Sequence, residues 1–148
     1  MVLDGKIYAM GGHDGAGRLN TVEVYDPQAD SWQRVASMPR GLRYHAAAVM
    51  GGKIYVTGGC GQGVNLTVNS AYVFDPQADA WAQLASMGAA RRVHASAAVG
   101  GKLYVFGGYG AAADERRSTA EVYDPASDSW APVTSLTFGR SGVAAIAL

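Results

Sequence analysis

The chain has one cysteine, Cys60, in 148 residues, which excludes an internal disulfide framework and fits a reducing compartment. No apolar run approaches the length needed to cross a bilayer as a helix. The start, Met1-Val2-Leu3-Asp4-Gly5, lacks the charged region and long apolar stretch of a secretory signal. A cytoplasmic protein is therefore expected, without a membrane partner. No excess of either charge exists: 12 basic residues balance 12 acidic ones, so nothing in the net charge points to nucleic acid. Helix-length amphipathic segments are missing as well. What is plentiful is apolar residues, at 49%, and glycine, at 20 positions. That is globular composition with many turns, and it excludes a disordered chain.

The glycines recur in register with other residues. Trp32, Trp81 and Trp130 stand 49 positions apart, and Asp26-Pro27, Asp75-Pro76 and Asp124-Pro125 keep the same step. So do Met38, Met87 and Leu136. A unit of this size cannot bury its apolar face alone and must stack on copies of itself.

Each repeat holds four short apolar runs bounded by turn signals. The first, Gly5–Gly12, recurs as 52–59 and 101–108; it is β-branched or aromatic and closes on Gly-Gly, where a strand end needs positive φ or close approach. The second is Thr21–Tyr25, with copies at 70–74 and 119–123. An Asp-Pro turn follows, in which proline presets φ and the aspartate can bond the backbone two residues on. The third carries the tryptophan, at 31–35, 80–84 and 129–133. The fourth is rich in small residues: 43–49, 92–98 and 140–146. The expected fold is all-β, built from four-stranded units.

The order Gly-Gly, Tyr (or Phe)-Asp-Pro about fifteen residues on, Trp six after the Asp, then Met (or Leu), then Arg, three times over, resembles the kelch repeat across essentially the whole chain. Departures are small. Repeat 1 has a loop two residues shorter after Gly12, repeat 3 has Leu136 for Met, and Arg140 comes one residue early. The resemblance implies a β-propeller whose blades are four-stranded antiparallel sheets. The repeats read as one domain over 1–148: about 1–40, 41–89 and 90–138, with 139–148 left over.

Three blades do not close a ring, since propellers close with roughly four to eight. In the family the small-residue strand beginning with Arg is innermost in its blade. Blade 1 is therefore expected to lack that strand, and Arg140–Leu148 to be a spare one. Two chains exchanging it head to tail would make a closed, two-fold, six-bladed homodimer. A fragment, or an engineered half of a longer propeller with no function of its own, is the alternative.

If strands run up and down, the loops after Gly-Gly share a face with the loops leading into the Arg strands. That face holds Arg18, Arg40, Arg43, Arg91, Arg92, Arg116, Arg117 and Arg140 against Asp14, Asp114 and Glu115, a net of +5; the opposite face nets −4. Arginine is the bidentate ligand for carboxylate and phosphate, and the resemblance implies partner binding on this face. Arg43, Arg92 and Arg140 are expected to ring the mouth of the central channel. Two roles stay open for them: capture of an acidic peptide or anionic small molecule, and bonding to neighbouring blades. His45, His94, Tyr109, Arg116, Arg117, Arg40 and Arg91 complete the candidate binding set, and the loop residues His13, Asp14, Arg18, Asn65, Asn69 and Glu115 come next. His45 and His94 alone fall short of a metal set, Cys60 has no nearby histidine in sequence, and no cofactor is called for. Asn65-Leu66-Thr67 fits a glycosylation sequon that has meaning only in a secreted protein. Tyr8, Tyr55, Tyr104 and the tryptophans, recurring in every copy, read as core. The leading functional expectation is a non-catalytic binding module. The alternative is a sugar-active enzyme on this fold, as in the sialic acid mutarotases, using the arginines and a loop acid such as Glu115; the copper galactose oxidase site has no convincing match.

Overall fold

The computed structural model describes residues 1–63, 66–112 and 114–147. Among these lie twelve strands in three four-stranded antiparallel sheets. The first sheet is β1 (Val2–Leu3), β2 (Lys6–Met10), β3 (Val22–Asp26) and β4 (Ser31–Val35). The second is β5 (Ala46–Met50), β6 (Lys53–Thr57), β7 (Ala71–Asp75) and β8 (Ala80–Leu84); the third is β9 (Ala95–Val99), β10 (Lys102–Phe106), β11 (Ala120–Asp124) and β12 (Ser129–Val133). Each sheet is a meander in chain order.

Local chemistry sets the turns. The Asp26, Asp75 and Asp124 carboxylates accept the N–H two residues on, from Gln28 (2.9 Å), Gln77 (2.9 Å) and Ala126 (3.0 Å). Each also pairs with the lysine opening the second strand of its sheet: Lys6 at 3.1 Å, Lys53 at 2.9 Å, Lys102 at 3.1 Å. The same ladder position pairs an aromatic with the tryptophan, as Tyr25 with Trp32, Phe74 with Trp81 and Tyr123 with Trp130, with ring centroids 5.1–5.2 Å apart. The Gly-Gly pairs end the second strand of each sheet and sit against the segments that cross between sheets or continue from the last one. A Cβ on Gly58 would come within 2.3 Å of the Arg91 carbonyl oxygen, and one on Gly108 within 2.6 Å of that of Arg92. Both glycines also hold positive φ, +58° and +89°.

The core lies between sheets. Ile54, Phe74 and Tyr72 of the second sheet pack with Tyr8, Val22, Val24, Met38 and Leu42 of the first. Leu103 and Tyr123 of the third pack with Ala48 and Tyr55 of the second. The tryptophans cross these seams: Trp81 Nε1 donates to the Ala36 carbonyl and Trp130 Nε1 to the Ala85 carbonyl, both at 2.8 Å.

Two expectations are corrected, while the donation of the segment from Arg140 to a second chain is an expectation that one chain does not test. The first sheet does not lack its innermost strand: Val2 and Leu3 pair with Ile7 and Lys6, as Val49 and Met50 pair with Ile54 and Lys53, so a two-residue β1 stands there. The segment from Arg140 forms no strand within the chain. The Gly142 N–H donates to the Val93 carbonyl at 2.9 Å, the Val143 side chain lies beside Gly107, and Ala145–Ala147 line an apolar hollow with residues of β9 and β10, Ile146 being 81% exposed. Leu148 lies outside the described residues. The second correction is that Arg140 does not match Arg43 and Arg92. Gly12, Gly59 and Gly108 donate to the carbonyls of Leu42, Arg91 and Arg140 respectively, which makes those three equivalent. Ser141 then falls at the position of Arg43 and Arg92. Tyr44, Val93 and Gly142 follow, all at positive φ (60°, 53° and 67°).

Candidate functional site

Sheet geometry carries the loops after Gly-Gly and the crossings into β5 and β9 to one end of the molecule. There the crossings bond to the next loop as short bridges: Arg43 with Cys60 and Arg92 with Tyr109, each through two backbone hydrogen bonds of 2.7–3.1 Å. The residues after them adopt left-handed φ, which turns each carbonyl to its neighbour: Val93 donates to the Tyr44 carbonyl and Gly142 to that of Val93, both at 2.9 Å. Val93 is a β-branched residue in this region, a strained conformation held by its surroundings.

The candidate arginines separate into two groups. Arg91 is a seam residue with no exposure. Its guanidinium donates to Glu121 at 2.8 Å and to the Gly107 and Thr119 carbonyls at 3.0 and 3.1 Å, while Glu121 also accepts the Gly88 and Ala89 N–H groups at 2.6 and 3.1 Å. Arg117 pairs with Glu115 at 3.0 Å, so the loop acid considered for sugar chemistry is engaged. Arg40 and Arg18 line a polar cleft of about 320 Å³ with Asn20 and Gln62 between the first two sheets.

The second group lies nearer the axis. Arg43 stacks over Tyr44 at 5.0 Å. Arg92 and Arg116 both stack over Tyr109, each at 5.4 Å. Arg92 is also tied to the Thr67 hydroxyl and, at 3.1 Å, to the Gly110 carbonyl. The Ser141 hydroxyl and the Arg116 charge hold the Tyr109 phenol below its ordinary value. Arg140 is exposed, and its one side-chain bond, to the Phe138 carbonyl, is long at 3.5 Å.

His94 is buried, with Nε2 2.9 Å from the Thr57 hydroxyl. Burial first, then the Arg91 and His45 charges, push it down to about 3. Burial lowers His45 too, against the Leu42 carbonyl, which raises it. Both are neutral packing groups at pH 7. Cys60 is a buried thiol. His13 and Asp14 order their own loop, accepting the Gly15 and Ala16 N–H groups at 3.0 and 2.9 Å, and Asn69 donates to the Met87 carbonyl at 2.8 Å. Asn65 lies outside the described residues. Glu121 is the residue that sequence reasoning missed. Its signal was the pattern Glu23, Tyr72, Glu121 at one ladder position, beside Leu42, Arg91, Arg140 at another.

Residues 1–108 match the family model for the KLHDC2/KLHL20/DRC7 kelch-repeats domain, and residues 90–137 match the kelch motif. The chain belongs to the kelch-repeat family. It is 43% identical over 61 residues to human Kelch-like protein 33 and 44% identical over 66 residues to mouse Kelch-like protein 35. Those matches take in 41% and 44% of this kelch chain but only 11% and 12% of the relatives' length. Among solved structures, that of YjhT superposes with a TM-score of 0.77 at 21% identity, over 93% of this chain and 51% of that one. The three sheets are thus kelch blades.

Proposed function

We propose that the chain is a non-catalytic kelch module that binds a partner through the arginine-bearing end of its blades, and that it works as half of a six-bladed ring made with a second copy by strand exchange. The observation that carries the binding reading is the trio Arg43, Arg92 and Arg116, each with its guanidinium carbon 5.0–5.4 Å from the centre of a tyrosine ring at the end of the blades that carries the Gly-Gly loops. A guanidinium over an aromatic face is held there by cation–π attraction, and its N–H groups suit a carboxylate or phosphate, although Arg92 already commits one nitrogen to Thr67 and Gly110. The ligand class is an acidic peptide or an anionic small molecule. Because Arg140 sits at the buried Arg91 position, a two-chain ring offers four inward-leading arginines, from Arg43 and Arg92, and two Ser141 hydroxyls between them. For the exchange, Ala144–Ala147 must displace the short β1, which holds its neighbour by only two ladder positions.

A fluorescent oligoglutamate peptide titrated into the protein tests the site. The double variant Arg43→Ala with Arg116→Ala should keep mass and melting point and lose at least tenfold in affinity, more at low salt. Unchanged binding by that variant contradicts the assignment.

A further inference from the structure

The two seams inside the chain are of different chemical kinds. At the first, the positions are Pro39, Leu42 and Tyr72: a proline with no N–H to give, and an apolar side chain packed in one core with an aromatic. At the second, the same three positions are Gly88, Arg91 and Glu121, and the carboxylate takes the Gly88 N–H and the Arg91 guanidinium. All three positions switch together, as they must, because a buried carboxylate requires donors and a buried guanidinium requires an acceptor. The outward face of blade 3 presents the donor set: Thr137 and Phe138, which have N–H groups, and Arg140. The inward face of blade 1 presents the matching acceptor, Glu23, whose side chain is 46% exposed and only loosely paired with Arg34 at 3.5 Å.

The rest of each face repeats the pattern. Ile54 and Leu103 are fully buried at their seams, whereas Ile7 at the same place in blade 1 is 41% exposed. Trp81 and Trp130 donate to the preceding blade's carbonyl, whereas Trp32 is 52% exposed. Asp79 and Asp128 accept the N–H of Ala36 and Ala85 at 2.8 and 2.9 Å; Asp30 is their counterpart in blade 1. On blade 3, Thr134 stands where Ala36 and Ala85 stand, beside an apolar hollow of about 400 Å³ lined by Val99, Tyr104, Phe106, Val133 and Leu136 and by the chain's own Ala145–Ala147, the segment that would leave it on exchange. A Cβ on Gly59 or Gly108 would strike the preceding crossing, at Arg43 or Arg92; at Gly12 nothing lies within 4 Å, and Ser141 is the residue that corresponds.

We propose that blade 3 docks blade 1 of a second copy of this chain, with Arg140 and the Thr137 and Phe138 N–H groups closing on Glu23 of that copy as Arg91, Gly88 and Ala89 close on Glu121. This rests on the ring reading above and names the contact that selects the copy and fixes its register. The occupant is a second copy because one sequence carries both halves of the lock: the polar kind of outward face and the carboxylate kind of inward face. An apolar seam of the Leu42–Tyr72 kind on either face would have left Arg140 or Glu23 buried without a partner.

Charge reversal tests it. Arg140→Glu puts two carboxylates at each junction and Glu23→Arg puts two guanidiniums there, so either variant alone should dissociate at least about a hundredfold more readily than the parent. Mixed in equal amounts, they form a heterodimer in which both junctions again pair opposite charges, and most of the lost affinity should return. Arg140 is exposed and Glu23 half-buried within one chain, so circular dichroism should match the parent and melting should match that of the parent diluted until it dissociates. A parent chain that is monomeric overturns the ring itself. A dimeric parent whose single reversals stay dimeric, or whose mixture fails to recover, overturns the Arg140–Glu23 lock while leaving the ring standing.

Discussion

Arg91 and His94 show how much of this end of the molecule is scaffold. Arg91 has no exposure and spends its donors on Glu121 and two carbonyls. Replacing it with alanine strands a carboxylate in the seam and should lower stability by about 3–5 kcal/mol in denaturant unfolding, with the dimer contact untouched. His94 is neutral in the fold with a value near 3, against 6.5 when exposed. Between those values the unfolded chain binds a proton that the folded chain refuses. Stability is therefore full above pH 6.5 and falls as pH drops toward 3, by up to ~1.4 kcal/mol per pH unit, and His45 adds in the same direction. Unfolding followed from pH 7 to 5 should show this slope, and His94→Gln should flatten it; a parent with flat stability over that window contradicts the burial of these rings. At this scale the sequence misled in one respect. The 49-residue step from Leu42 through Arg91 leads to Arg140, yet matching arginine to arginine put Arg140 with Arg43 and Arg92. Identity was the weaker guide, because the position tolerates leucine or arginine according to what the next blade places opposite.

The strands and turns were legible because their causes are local. Asp-Pro turns, lysines opening the second strands and tryptophans facing aromatics all act within a few residues or across one hairpin. The seams were not legible. Trp81 reaches Ala36 over 45 positions, and Glu121 meets Gly88 over 33. Such contacts depend on how blades stack, which period alone does not state. The stub β1 was also unforeseen, since Val2 and Leu3 carry no turn or motif signal of their own. Among the described residues, the segment after Gly142 makes no ladder inside its own chain. Removing residues 143–148 should leave the melting temperature of the isolated half within a few degrees of the parent and weaken dimerisation at least tenfold. Equal dimer affinity after the truncation contradicts strand exchange while leaving face-to-face docking intact.

Across the whole molecule the two seams and the two open faces follow one plan. Each blade gives its tryptophan, its turn aspartate and its third-strand residue to the blade before it. Blade 1 has these groups, Trp32, Asp30 and Glu23, turned toward solvent, and blade 3 has the surface that receives them. Large apolar side chains exposed on both faces, among them Ile7, Trp32 and Val99, are a cost to a solitary half-ring and become core in a closed one. The arginine-bearing end gains from closure too, since an anion can be held from both halves only when they meet. Mass in solution by light scattering tests this account most directly. The expected value is twice the 15.4 kDa of one chain, independent of dilution over the micromolar range. A species of one chain's mass, or an open series growing with concentration, contradicts it.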